Sequence, residues 1–291
     1  MHVENRSQLY DLHCHSTCSD GTLDPWLLVQ RAADHGVQVL SITDHDTVDA
    51  YKLLNQKIQQ LAAPLPLQLI AGIEFSATYN KRCVHILGLD IDPSHPVMQT
   101  AVAIQTEHRQ VRTLKIAAKF DKLNIPNSLE GAKSFAQSAS IGRPHFAQFL
   151  VENGYCKNQG DAFKRYLGDN KPGFVQQQWP DLEVINDWIL QAGGIPVIAH
   201  PSKYGMTRSK LCKFVETFKN TGGLGIEVLC GPQTPQVTKT LTDIALQYNL
   251  AGSIGSDFHS PDQRWLHLGM HKTIPNKCPP IWQHFKNFRM Q

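Results

Sequence analysis

Asp11-Leu12-His13-Cys14-His15-Ser16-Thr17-Cys18-Ser19-Asp20 is the stretch from which the rest of the chain is read. It continues a short apolar run, Gln8 to Leu12, of strand character, and the strand repeat of two turns the imidazoles of His13 and His15 toward one side. Two imidazoles so placed form a metal-ligand pair. Asp20, on the polar turn that follows, is near enough in sequence to add an oxygen ligand.

The chain has 291 residues, 41% of them apolar. Such a chain can bury roughly three-quarters of its unfolded surface and needs no disulfide or structural metal merely to fold. One large domain carrying a smaller insertion is the expectation. A net charge of +3 and a pI near 8.4 suit a phosphorylated substrate but fall short of a nucleic-acid-coating surface. The cysteines, Cys14, Cys18, Cys83, Cys156, Cys212, Cys230 and Cys278, are odd in number and scattered. That pattern points to a reducing compartment rather than a disulfide framework. Cys14 and Cys18 are weak zinc candidates, because no second cysteine pair completes them. No apolar run has the length of a signal peptide or a membrane span. The expected protein is cytoplasmic, without a membrane contact and without an obligate protein partner.

Outward from the opening stretch, strands and helices alternate. Gln8 to His13 reads as a strand, followed by a helix capped by Asp24 with Pro25 at its first position. Val37 to Thr43 is a second strand, ending in Thr43-Asp44-His45-Asp46, and a helix follows from Val48 to Leu61. Gln68 to Ile73 is a third strand, ending at Glu74. Val84 to Leu89 is a fourth, with His85 near its start. From Pro93 to Gly173 long helical patterns take over, at His95 to Leu123, Leu129 to Ala136, Pro144 to Asn153 and Asp161 to Tyr166. This places a helical insertion at 94–173 within a domain formed by 1–93 and 174–291. Alternation then resumes, with helices at Leu182 to Ala192, Ser209 to Thr221 and Pro235 to Tyr248. The strands between them are Ile195 to Ala199, ending in His200-Pro201, then Leu224 to Leu229, and Ala251 to Gly255, which leads into Ser256-Asp257-Phe258-His259. The recurring βα unit argues for a parallel sheet, closed or nearly closed into a barrel, although an open doubly wound sheet gives the same pattern. Beyond Thr273 the sequence carries no signal.

Parallel α/β architectures carry their chemistry at the C-terminal ends of the strands. His13, His15, His45, Glu74, His200, Asp257 and His259 all stand at or just past such an end, Asp20 is on the first loop, and His85 lies within a strand. These nine groups gathered on one rim repel one another and are poorly solvated unless cations join them. A lone histidine at a strand end is more often structural, but the recurrence of the pattern in register with the strands is not explained that way. His2, His35, His95, His108, His267, His271 and His284 show no such placement and read as ordinary. Asp44 and Asp46, on either side of His45, either orient imidazoles or cap the next helix.

The segments Asp-Leu-His-Cys-His-Ser at 11–16, Ile-Thr-Asp-His-Asp at 42–46, Gly-Ile-Glu at 72–74, His85, Ala-His-Pro at 199–201 and Gly-Ser-Asp-Phe-His at 255–259 resemble the PHP family, the polymerase and histidinol phosphatase phosphoesterases. The resemblance implies an α/β fold, a distorted (β/α)7 barrel holding three divalent metals. It assigns one to His13, His15, Glu74 and Asp257, a second to Glu74, His85 and His200, and a third to Asp20, His45 and His259. The mixed imidazole and carboxylate set suits Mn, with Fe or Zn as alternatives, better than Ca or Mg. In that scheme a metal-bridging hydroxide attacks a phosphate ester, and no Ser or Cys nucleophile is required.

Within the insertion, Ile141-Gly142-Arg143-Pro144-His145 resembles a segment of the family's nucleotide-acting subgroup. Arg143 precedes a proline-initiated helix, so a guanidinium and a helix N-terminus can converge on one phosphate. Lys171 on the returning loop is a second candidate and Lys203 a third, while His145 faces the site or packs within its helix. The chain departs from its relatives at Ser202, where they often carry glycine. The resemblance implies hydrolysis of the 3′-phosphate of nucleoside 3′,5′-bisphosphates, such as adenosine 3′,5′-bisphosphate, and removal of 5′ nucleotides from short RNA at the same site. A histidinol-phosphate or other small-molecule phosphatase would share the metals, but the Arg143 segment argues against it. A non-catalytic metal-binding regulatory domain would be expected to have lost ligands, whereas all nine positions are filled.

Overall fold

Seven strands lie side by side in chain order in one sheet: β1 (Tyr10–Asp11), β2 (Val39–Ile42), β3 (Gln68–Tyr79), β4 (Arg82–Leu89), β5 (Ile195–Ile198), β6 (Gly225–Cys230) and β7 (Ala251–Gly255). The computed structural model describes residues 8–61, 63–136, 140–271 and 273–286. His2 lies outside them. The first and last strands meet along a seam: Leu12 N–H donates to Ile254 O at 3.0 Å, Asp257 N–H to His13 O at 2.8 Å, and His15 N–H to Phe258 O at 2.9 Å. The sheet is therefore a nearly closed barrel, as the (β/α)7 expectation requires.

One part of the expectation is corrected. The sheet is not parallel throughout, because β4 runs antiparallel to both β3 and β5. β3 continues well past Glu74 and doubles back through Asn80 and Lys81, whose φ values of 47° and 64° are those of a two-residue hairpin turn. Glu74 consequently sits inside β3, opposite Leu87, rather than at a strand's C-terminal end. This antiparallel pair is the distortion of the barrel.

The helices are α1 (Pro25–Asp34), α2 (Asp49–Ile58), α3 (Pro96–Lys122), α4 (Ser128–Ala136), α5 (Arg143–Glu152), α6 (Gln159–Ala162), α7 (Leu182–Gln191), α8 (Arg208–Asn220) and α9 (Pro235–Gln247). Asp24 caps α1 by accepting the Trp26 N–H at 2.8 Å, and Pro25 and Pro96 open α1 and α3 at positions where no N–H is needed. Leu12, Val39, Ile70, Leu87, Val197 and Ile254, each from a different strand or its extension, pack together inside the barrel. Ile281 joins this cluster from the C-terminal segment, and Trp282 stacks on Tyr10 with ring centroids 3.9 Å apart. Helices α3 to α6 surround a separate core of Ile116, Phe120, Phe146 and Leu150. Among the described residues no helix is long and apolar enough to cross a membrane.

Candidate functional site

Glu74 stands at the centre of the barrel mouth, fully buried, with imidazoles on both of its oxygens. Its Oε1 lies 3.0 Å from His85 Nδ1, 2.8 Å from His200 Nε2 and 3.5 Å from His13 Nε2. Its Oε2 lies 3.3 Å from His15 Nε2 and 2.8 Å from His45 Nδ1. Leaving β1 in extended form, His13 and His15 point the same way, and their Nε2 atoms are 3.2 Å apart. Asp257 Oδ1 completes that corner at 3.4 Å from His13 and 3.3 Å from His15. On the outer side Asp20 lies 3.4 Å from His259 Nε2 and 3.7 Å from His45 Nε2. All nine residues expected from the sequence are thus brought together.

Their chemistry fits bound cations. His45 Nδ1 and Glu74 Oε2 are close but misaligned for a hydrogen bond, and both are buried without one. Such orphaned atoms cost about 1–3 kcal/mol each unless something else satisfies them. Nitrogen faces nitrogen at 3.2 Å between His13 and His15 and at 3.3 Å between His85 and His200, an arrangement that suits a shared cation. Protons satisfy the cluster unevenly. Burial opposes the His13 imidazolium, but Glu227, Asp257 and Glu74 outweigh it and hold its pKa well above the usual histidine range. Burial and the neighbouring His259 push His15 down to about 3. A divalent ion removes this conflict, since neutral imidazoles and ionised carboxylates can then coexist.

The backbone aims several of these groups. His200 and Asp257 have φ of 30° and 56°, a left-handed conformation that costs a non-glycine residue roughly 1–2 kcal/mol. Strain of this kind persists where the surroundings over-determine it. Asp11, buried under the seam, accepts the N–H groups of Ser256 and Gly269, each at 2.8 Å, and so fixes the approach to Asp257. Asp44 accepts the Ser16 N–H at 2.8 Å and the Ser19 hydroxyl at 2.5 Å, bracing the loop that carries Asp20. Asp46 accepts the Ser76 N–H at 2.7 Å and the Arg109 Nε–H at 2.7 Å. Among the described residues neither aspartate makes a hydrogen bond to an imidazole, and neither caps α2, whose N-cap is Val48, with no side-chain cap hydrogen bond.

Glu227 on β6 is the residue that sequence reasoning missed. It is fully buried and accepts the His13 Nδ1–H at 3.0 Å and the His200 N–H at 2.6 Å. Its signal was present: Gly225-Ile226-Glu227 repeats the Gly72-Ile73-Glu74 pattern of an acid inside an apolar strand. The cysteines of the opening stretch stay out of the cluster. Cys14 is buried in the core under α1, and Cys18 packs against the same group.

A cleft of about 1010 Å³ opens over the cluster beneath helices α4 to α6, lined by Asp20, Asp257 and His259 below and by Pro144, His145 and Gln148 above. Lys203 also lines it, and its ammonium pairs with Asp257. Arg143 and Lys171 do not. Arg143 begins α5 and reaches the Leu167 carbonyl at 3.5 Å and Asp169 at 4.0 Å. Lys171 is exposed on the turn that follows. His145 accepts the Gly142 N–H at 2.9 Å, which completes the turn into α5.

The PHP domain family profile matches residues 11–166. A protein named 5′-3′ exoribonuclease from Haemophilus influenzae is 40% identical over 95% of this chain and 98% of its own length. A protein named 3′,5′-nucleoside bisphosphate phosphatase from Chromobacterium violaceum is 35% identical over 94% of this chain and 95% of its own. Among solved structures, one described as an amidohydrolase from Chromobacterium violaceum, with bound sulfate and no metal, superposes with a TM-score of 0.87. It is 33% identical, with 95% of each chain covered.

Proposed function

The chain belongs to the PHP domain family, and on that premise we propose that it removes the 3′-phosphate from nucleoside 3′,5′-bisphosphates and, with the same site, 5′ nucleotides from short RNA. It is an enzyme, a hydrolase of phosphate esters, and its His, Asp and Glu cluster fits divalent metal ions. The finer reading is that it takes three ions, manganese before iron or zinc. His13, His15, Glu74 and Asp257 would hold one, Glu74, His85 and His200 a second, and Asp20, His45 and His259 the third. When bound, such ions supply positive charge to phosphate oxygens and acidify water near neutral pH.

The protein's own groups account for orientation. Glu227 keeps the His13 ring turned so that Nε2 faces Glu74, and Lys203 adds a cation at the cleft beside Asp257. We assign residues 94–173 as the insertion that closes over the substrate, with Arg143 at the first turn of α5 to bind the phosphate that is not hydrolysed and Lys171 as the second cation on the returning loop. A guanidinium and free N–H groups at a helix start recognise a phosphate together.

The observation that carries the reading is the placement of Glu74 between five imidazoles under a cleft roofed by helices α4 to α6, in a chain whose relatives bear both activity names. The test is phosphate release from adenosine 3′,5′-bisphosphate with added Mn, run beside His13→Ala and Arg143→Ala. The His13 variant is expected to lose activity, and the Arg143 variant to show a raised KM. Full activity in the first would overturn the metal reading, and an unchanged KM in the second would overturn the phosphate clamp.

A further inference from the structure

Trp265 is the most exposed large apolar side chain among the described residues, 70% accessible, and it lines the same cleft as Asp20, Asp257 and His259. It is not on a loose segment. After His259 the chain folds through successive tight turns, with the Asp262 N–H donating to Ser260 Oγ at 3.2 Å, the Gln263 N–H to Ser260 O at 3.2 Å and the Leu266 N–H to Gln263 O at 2.9 Å. Leu266, the next residue, points inward and is buried with Leu28, Leu40 and Phe258. The loop is thereby pinned to the core while the indole is held out over the cleft. An indole left largely in water gives up most of the stabilisation that its burial would bring. Its position beside the cluster supplies a reason.

Two further features say what lies on it. The cleft, at about 1010 Å³, is at the upper end of the roughly 300–1,000 Å³ usual for a single small molecule, so it has room for more than one nucleotide. Arg143, the phosphate anchor proposed above, does not line this cleft, whereas Trp265 does, together with Asp20, Asp257 and His259. A strand whose scissile phosphate lies over Glu74 and that continues along the cleft past His259 runs toward Trp265.

We propose that Trp265 is a stacking platform for the base of the second nucleotide of a short RNA, a specificity determinant for oligonucleotides over mononucleotides. Stacking on an aromatic face suits a substrate of any sequence, because every base presents a π surface. The inference rests on the nucleotide-hydrolase reading above and goes beyond it by assigning the leaving strand a path.

The experiment uses the full chain with Mn and three substrates, adenosine 3′,5′-bisphosphate as the control, a 5′-phosphorylated triadenylate, and the same trinucleotide with an abasic ribose at its second position, the last two being compared. Wild-type protein is expected to show a KM lower by about tenfold or more for the intact triadenylate than for its abasic counterpart, on the scale of base–aromatic stacking. In Trp265→Ala that ratio should fall close to one, and in Trp265→Phe most of it should remain, which also shows that the loop tolerates substitution. A Trp265→Ala protein with the wild-type ratio overturns the inference, as does a wild-type protein that treats the two substrates alike while still hydrolysing adenosine 3′,5′-bisphosphate. Wild-type protein inert toward all three substrates overturns the functional reading and this inference together.

Discussion

The carboxylate of Glu227 accepts the His13 Nδ1–H at 3.0 Å with one oxygen and, with the other, the backbone N–H of His200 at 2.6 Å, tying the ends of β1 and β5 to the middle of β6. The contact fixes which nitrogen of His13 carries its proton and leaves Nε2 free to face Glu74 and Asp257. Partners of this kind raise the basicity of a ligating imidazole and hold its ring angle. Glu227→Gln should therefore weaken metal binding about 10- to 100-fold, read as a shift in the Mn concentration giving half-maximal activity. An unshifted Mn requirement would show that His13 is oriented by something else.

Glu74 contributes to more of the cluster than any histidine does. Each of its oxygens faces at least two imidazoles, and in the proposed assignment two of the ions share it. Glu74→Gln keeps the shape and removes the charge. Metal analysis after dialysis should find at least two equivalents lost, and activity should fall by more than the 10- to 100-fold expected for a residue that merely orients a ligand. Loss of one equivalent alone would break the bridging assignment.

How much of this was legible in the chain depended on where a residue's signal lies. His13, His15, His45, His200, Asp257 and His259 announced themselves because each follows an apolar run where a parallel strand ends, and polar residues there have few structural reasons to recur. Glu74 is legible as an acid at the end of an apolar run, but its setting is not. The hairpin that continues β3 turns at Asn80-Lys81, which lacks the Asn-Gly signature, although Asn80 is a residue that tolerates positive φ. Glu227 is less legible, because a single acid in an apolar strand is compatible with an edge position until the barrel closes around it. The packing of Ile281 and Trp282 against the barrel had no local pattern at all, since those contacts are made with strands far away in the sequence. The roles of Asp44 and Asp46 were equally hidden, because their partners Ser16, Ser76 and Arg109 are neighbours only in the folded protein.

Arg109 joins α3 to the barrel through a buried ion pair. Its Nε and Nη2 lie 2.7 Å and 2.6 Å from Asp46 Oδ2, and Gln105, one turn earlier on α3, donates to Asp46 Oδ1 at 3.0 Å. Asp46 also holds the Ser76 N–H on β3, two residues beyond Glu74. Removing one partner of a buried pair leaves an uncompensated charge and typically costs about 3–5 kcal/mol. Arg109→Ala should lower the unfolding free energy by about that amount in denaturant titration, and Arg109→Ala combined with Asp46→Asn should recover part of the loss. A single variant within about 1 kcal/mol of wild type would mean that the pair does not anchor α3.

Gly255 and Gly36 separate the stability of the fold from the geometry of the site. At Gly255, on β7, a methyl group would overlap His13 Cβ and come within 2.8 Å of Glu227 Oε1, so Ala must push apart the two groups whose contact orients the His13 ring. Gly36 has φ of +79° with nothing within 4 Å of an added methyl, so its replacement meets only the backbone cost of a left-handed residue, about 1–2 kcal/mol. Overpacking at a buried site costs a similar amount, about 1–3 kcal/mol. Both Gly255→Ala and Gly36→Ala should therefore lower the melting temperature, by about 2–4 °C per kcal/mol for a chain of this size. They should part company on metal. Gly255→Ala is expected to raise the Mn concentration needed for half-maximal activity, because the backbone that carries His13 has no direction in which to yield without breaking the β1 to β7 seam. Gly36, at the far end of α1, touches none of these groups, and its variant should keep the wild-type Mn requirement. If the two variants melt alike and also require the same Mn concentration, the close approach of β7 to His13 is a packing feature without consequence for the metal centre.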